Sequence, residues 1–193
     1  MRSIGMSSQP KTLLTPEEYL AIERESEVRH EYHAGEMFAM VGASRKHNLI
    51  VTSLTRRIDE QLDGKPCELY GTDMRVRIPA TGLYTYPDVV VVCGEPQFED
   101  EQVDTLLNPI VIIEVLSPST EAYDRGKKFV HYQQTPSLIE YLLVAQESCR
   151  VEQFVRQGAA QWLYSAAHQL EDTIKLSSIS CALMLKDIYA RVV

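Results

Sequence analysis

Two acids stand where acids are costly. Asp88 follows Pro87 at the head of the apolar run PDVVVV, and Glu114 lies inside IIEVL with aliphatic residues on both sides. Each run has the length and the Val/Ile content of a buried strand. A carboxylate in that setting needs a partner, because burial penalises its charged form. If the two strands are neighbours, the carboxylates meet at one point. A hard divalent cation such as Mg²⁺ is the natural occupant between them, since it takes oxygen ligands and keeps several waters. It can polarise a phosphoryl oxygen and lower the pKa of a bound water. Lys127 and Lys128 follow Glu114, with Asp124 one helical turn before Lys128. A lysine approaching from that segment would stabilise charge on a phosphate or position an attacking water.

The same residues have plainer readings. Asp88 alone can be a strand-entry residue after proline. Glu114 can pair with an arginine such as Arg75, Arg77 or Arg125. Lys128 can be a solvated helix lysine and Asp124 its i,i+4 partner. His47 reads as a structural histidine in the first turn of a helix. Ser117, Ser119 and Thr120 lack a GxSxG frame, and helix capping accounts for them better than nucleophilic chemistry. The tyrosines, Tyr123 and Tyr132 among them, read as rims of the core.

The elements that must position these residues can be traced along the chain. In LTPEEYLAIERE, Thr15 is a good N-cap, Pro16 suits the first helical position and Glu18 completes a capping box. VRHEYHAGEMFAMV reads as two short strands around a turn at Ala34-Gly35. A longer helix is expected over SRKHNLIVTSLTRRIDEQLDG, capped by Ser44 and closed by Gly64. In it Ile50, Leu54, Ile58 and Leu62 recur every four residues as one apolar stripe. Strands follow in CELYGTDMRVRIP and TYPDVVVVCG, an acidic loop in EPQFEDEQVDTLLN, and a buried strand in PIVIIEVLS. STEAYDRGKKFVHYQQT reads as a helix capped by Ser119 or Thr120, with Gly126 its weak point. A strand SLIEYLLVA, a hairpin turning at Gly158, a strand around TIKLSSI and a short helix LKDIYARV complete the chain. The helix between the buried strands at 109–116 and 138–145 has crossover length, which predicts a mixed sheet with helices on its faces.

The chain has 193 residues, 45% of them apolar and 24% charged, a globular composition with room for a sizeable core. A loose tail over residues 1–12 and a single domain over 13–193 are expected. No apolar run has the length of a membrane span, and the start lacks the apolar core of a secretory signal, so a cytoplasmic protein is the expectation. The four cysteines, Cys67, Cys93, Cys149 and Cys181, form no CxxC pair. That argues against a zinc site and gives no support for a disulfide framework; they read as plain core or surface thiols. A net charge of −8 argues mildly against nonspecific nucleic-acid binding, although an enzyme that gathers carboxylates around a metal can be acidic and still carry a local basic rim.

Taken in order, GEMFAM, HNLI, YPDVVVV, EVLSPST, YDRGKKF and EYLLV resemble the Uma-type family of restriction-endonuclease-like proteins within the PD-(D/E)xK nuclease superfamily. The likeness runs from about Thr15 to the LKDIYARV end. It implies the α/β (α+β) class: a restriction-endonuclease-like core, a mixed β-sheet flanked by helices, with an extra N-terminal hairpin and C-terminal strands. The implied activity is Mg²⁺-dependent hydrolysis of DNA phosphodiesters, with Mn²⁺ as a substitute and DNA as the partner. No membrane is implied, and a homodimer would suit cutting of both strands. Asp88 maps to the PD aspartate and Glu114 to the (D/E)xK acid. Glu36 falls where superfamily members add a further acid, and the Val115 carbonyl is the candidate backbone ligand. The superfamily lysine would fall at position 116, where this chain has Leu116. The closer family draws its lysine from the following helix, which points to Lys128, with Lys127 as fallback. The departure at Leu116 and the charge of −8 favour a second reading, a nuclease-fold binding or regulatory protein without the chemistry.

Overall fold

The computed structural model describes residues 13–192, so the tail expected over residues 1–12 lies outside the described residues. Helix α1 (Pro16–Glu25) begins as its sequence dictates: the Thr15 side chain accepts from the Glu18 N–H, and the Glu18 carboxylate accepts from the Thr15 N–H. Strands β1 (His30–His33) and β2 (Glu36–Ala39) form the N-terminal hairpin. Its two-residue turn has positive φ at both Ala34 and Gly35, the turn whose twist suits paired strands. Gly35 is required there twice over, since a Cβ on it would stand 2.6 Å from the Leu13 Cβ. Helix α2 (Arg45–Leu62) is capped by Ser44, whose hydroxyl accepts from the His47 N–H.

The centre is a six-stranded mixed sheet in the order β11-β10-β9-β8-β6-β3. Its strands are β3 (Cys67–Tyr70), β6 (Val89–Cys93), β8 (Val111–Leu116), β9 (Glu140–Ala145), β10 (Val151–Arg156) and β11 (Trp162–Ala167). Only β8 and β9 run parallel. The link between them carries helix α3, residues 121–132, as a parallel crossover requires. A second sheet, in the order β2-β1-β5-β4-β7, adds β4 (Arg75–Ile78), β5 (Leu83–Thr85) and the short β7 (Thr105–Leu106). The acidic stretch expected as loop therefore contributes one two-residue strand, which joins β4 in parallel. A small hairpin, β12 (Thr173–Leu176) with β13 (Cys181–Met184), and helix α4 (Leu185–Tyr189) end the fold.

The alternation of the central strands divides the core. Val89, Val91, Val111, Ile113 and Val115 face the α2 stripe of Ile50, Leu54, Ile58 and Leu62, together with the C-terminal hairpin and α4. Val90, Val92, Ile112 and Leu116 face the other way, onto α3 and the second sheet. Buried Arg75 ties that second sheet to α1: it donates to Tyr86 and Thr105, and Tyr86 donates on to Glu23. Arg75 also pairs with Asp104 at 2.9 Å.

Two expectations change. Cys67 and Cys93 are not plain thiols. They face each other in the β3–β6 register and form a disulfide, with Cα atoms 4.0 Å apart. Their 26-residue separation concealed a contact that antiparallel pairing creates. Cys149 and Cys181 are free. Helix α3 is also irregular: its middle turn, Asp124–Lys128, is a π turn around Gly126. Its start is not capped by the Ser119 or Thr120 side chain; the Ser117 hydroxyl accepts from the Thr120 N–H instead. The α2 stripe generates a direct stability test. Ile58→Ala should lower the unfolding free energy by about 2–5 kcal/mol, read as a lower urea midpoint with an unchanged slope.

Candidate active site

Strands β6 and β8 are antiparallel with Val89 opposite Ile113. One step further along that register, Asp88 comes opposite Glu114, on the face shared by Ile112 and Leu116. Asp88 does not continue the ladder with its backbone alone; its Oδ2 accepts the Val115 N–H at 2.7 Å. The same oxygen lies 3.2 Å from His47 Nε2, which α2 supplies from its first turn. Asp88 is thus held from a strand and from a helix.

Glu114 is 4% exposed and Lys128 5%. Glu114 Oε1 receives the Lys128 ammonium at 2.9 Å and the Tyr132 hydroxyl at 2.7 Å. Lys128 Nζ also lies 2.9 Å from Glu31 Oε1 and 3.6 Å from Asp124 Oδ1. The Thr85 hydroxyl donates to Glu31. The Tyr123 ring stands beside the ammonium, 5.9 Å from centroid to Nζ, so the apolar stem and charged head of the lysine both find suitable neighbours. The π turn brings Asp124 and Lys128 inward together, while Lys127 is exposed. Such turns recur at functional sites.

These groups open into a cleft of about 530 Å³ lined by Glu31, His47, Asp88, Glu114, Asp124 and Lys128. Burial pushes the Glu114 carboxyl up to about 8; Lys128 opposes this, and Asp124 and Asp88 reinforce it. Asp124 is raised as well, again by burial against the pull of Lys128. Burial would lower the Lys128 pKa, but Glu114, Glu31 and Asp124 reverse that and raise it well above its ordinary value. Four carboxylates therefore face one lysine and one histidine, an excess of buried negative charge that a divalent cation would neutralise. Among the described residues, no three His, Cys, Asp or Glu side chains form a ready-made metal cage. Mg²⁺ needs only one or two carboxylates with waters and substrate oxygens. The oxygen donors present fit such an ion.

The residues read from the sequence fall as follows. Asp88, Glu114 and Lys128 come to one cleft, and Val115 lines it with its N–H turned to Asp88. Leu116 is buried against α3 and the second sheet. None of the arginines considered for Glu114 is its partner: Arg75 pairs with Asp104, Arg77 with Glu99, and Arg125 with Glu121 and Glu152. Glu36 opens β2 opposite His33 and is not among the cleft-lining residues, whereas Glu31 on β1 is. The sequence alone does not single out Glu31, and it gives His47 a structural reading; both line the cleft. The alternation of HEYH turns Tyr32 into a tyrosine cluster with Tyr19 and Tyr84 and sends Glu31 the other way, but the register puts Glu36 on that same face, so alternation does not distinguish the two acids.

Comparison with known proteins gives concordant results. The sequence profile of the Uma2 family, described as "Putative restriction endonuclease", matches residues 16–184. Two Synechocystis proteins are similar: uncharacterized protein slr1290, 38% identical over 182 residues (94% of each chain), and uncharacterized protein sll1609, 38% identical over 151 residues (78% of this chain, 85% of the relative). Among solved structures, a "putative nuclease belonging to DUF820" from Anabaena variabilis superposes with a TM-score of 0.77 at 18% identity, covering 93% of this chain and 99% of that one. The fold is therefore shared: a mixed α+β core with its sheet flanked by helices.

The raised Glu114 pKa makes stability depend on pH in a definite direction. Below its ordinary value of 4.5 the acid is protonated folded or unfolded, and its contribution is fully present. As pH rises towards about 8, the unfolded chain ionises first and stability falls, by at most about 1.4 kcal/mol per pH unit for one proton. Thermal melts in chelator should therefore show a midpoint declining between pH 5 and pH 8, and Glu114→Gln should flatten that decline. Parallel curves for the two proteins would refute the assignment.

Proposed function

The chain belongs to the Uma2 family, and on that premise we propose that it is a Mg²⁺-dependent endonuclease that hydrolyses DNA phosphodiesters, with Mn²⁺ able to substitute. The observation that carries this reading is the meeting of Asp88, Glu114 and Lys128 in one cleft. A divalent cation bound by the two carboxylates would supply Lewis-acid polarisation of the phosphodiester and acidification of the attacking water. The chain's own residues do the rest. The Val115 N–H and His47 hold one oxygen of Asp88, and its other oxygen would be the one to bind the ion. Tyr132 and Lys128 hold Oε1 of Glu114. Glu114, Glu31 and Asp124 beside it favour the charged form of Lys128, so it can stabilise the extra negative charge of the pentavalent phosphorus or orient the water. In this reading Glu31, rather than Glu36, is the additional acid of the site.

The alternative, a nuclease-fold binding or regulatory protein, draws on Leu116 standing where a strand lysine would. Against it, the Lys128 ammonium occupies a place beside the same carboxylate from the helix side. Cleavage of labelled DNA with Mg²⁺ or Mn²⁺ separates the two. Asp88→Ala, Glu114→Ala and Lys128→Ala should each lower the rate by about 10²-fold or more, while Lys127→Ala should stay within about threefold. Glu31→Ala should cost at least about tenfold and Glu36→Ala much less. Equal rates for the wild type and both acid variants would sink the nuclease reading. Calorimetric titration with Mn²⁺ gives a second readout, since Asp88→Ala should lose the binding that the wild type shows.

A further inference from the structure

The mouth of the cleft differs sharply in chemistry from its floor. Glu31 and Phe38 are directly opposed in the β1–β2 register, so their side chains leave the hairpin on the same face. Phe38 thus stands beside the carboxylate that holds Lys128, and it lines the cleft while 51% exposed. The chain continues along the rim through Met40 and Val41, the latter 73% exposed, with Val51 of α2 and Pro118 also lining the cleft. Large apolar side chains at a rim over an acidic floor are a binding feature more than a folding one.

The positive side chains of the cleft are equally informative. Among its described lining residues only Lys128 and His47 can carry positive charge. Both are engaged: Lys128 with Glu114 and Glu31, His47 with Asp88. Holding a duplex by both backbones takes a row of free lysines and arginines. This cleft has none, and the whole chain carries −8. A volume of about 530 Å³ is that of a small-ligand pocket, of nucleotide rather than double-helix dimensions. We infer that the cleft takes an unstacked nucleotide of single-stranded or locally opened DNA, its base against Phe38 and the 38–43 rim and its phosphate over the Glu114–Lys128 floor. Aromatic platforms bind bases with little regard to sequence, and taking a base out of a stack costs least where the strand is already single or opened. This substrate class rests on the phosphodiester reading of the same site.

Fluorescence anisotropy of labelled oligonucleotides, with Ca²⁺ in place of Mg²⁺, tests it. The wild type should bind a single strand at least about tenfold more tightly than the duplex of the same sequence. Phe38→Ala should weaken the single-strand complex about tenfold, in line with the loss of one stacked base, and Phe38→Trp should restore it. Because Phe38 is half exposed, its truncation should leave the thermal midpoint within a few degrees, which separates lost stacking from lost folding. A duplex bound as tightly as the single strand, or Phe38→Ala binding within twofold of wild type, would overturn the inference, and the latter result would hand the rim to a protein partner. The two readings fail separately. Cleavage that prefers duplex and ignores Phe38 removes the substrate class and keeps the nuclease. Phe38-dependent single-strand binding without cleavage in Mg²⁺ or Mn²⁺ keeps the rim assignment and removes the nuclease.

Discussion

The structure turns on one buried contact, the Lys128 ammonium against the Glu114 carboxylate. Neither group could occupy its position alone, because an isolated charge at that depth would be neutralised or expelled. Together they are still unbalanced, since Glu31 and Asp124 share the same ammonium. Burial, reinforced by the neighbouring acids, raises Glu114 and Asp124, and the same acids outweigh burial to raise Lys128. One lysine faces three acids, so the cluster keeps an excess of negative charge that a second cation would offset. A stability-optimised core would have no reason to assemble such a cluster. The cluster itself is therefore the strongest physical argument for a site.

The remaining elements can be understood by what they bring to that contact. The β6–β8 pairing sets Asp88 across from Glu114, and the Val115 N–H fixes the carboxylate there. The parallel β8–β9 pair demands a crossover, and the crossover helix supplies Asp124 and Lys128 from its π turn. The N-terminal hairpin, carried on the second sheet, brings Glu31 to the same point and sets Phe38 beside it. Helix α2, anchored by its apolar stripe, contributes His47 from its capped end. Four separate pieces of chain thus meet at the carboxyl-terminal end of β8.

How much of this was legible follows from the distance over which each signal acts. Asp88 and Glu114 stand out because their anomaly is local: each is a charge inside an apolar run. The α2 stripe and the Thr15 and Ser44 caps are local too, and they fold as written. Glu31 and Glu36 are indistinguishable at that level, since both are acids near one turn. Both lie on one face of the hairpin, and only the long-range packing of that hairpin, with β1 inside and β2 at the edge of the sheet, brings Glu31 rather than Glu36 to the cleft. The Cys67–Cys93 bond was hidden for the same reason. His47 looked ordinary because a capped first turn explains a polar residue fully until its neighbour is known. The π turn left a fainter mark, the glycine at 126, whose helix propensity is low without saying which irregularity results.

The lysine shows why spacing along a strand is a weaker constraint than position in space. A lysine at 116 would share the face of Glu114 and approach it along the strand. In this chain that place holds Leu116, packed in the apolar layer beneath α3. The charge arrives instead across the sheet face, from a helix whose widened turn moves residue 128 inward. The electrostatic requirement is one ammonium within about 3 Å of the carboxylate, and the 2.9 Å contact meets it by this other route. The exchange has a structural consequence: Leu116 fills the apolar layer beside β8, while burial of Glu114 itself raises its pKa. Apolar packing at 116 and charge at 128 are thus two halves of one arrangement.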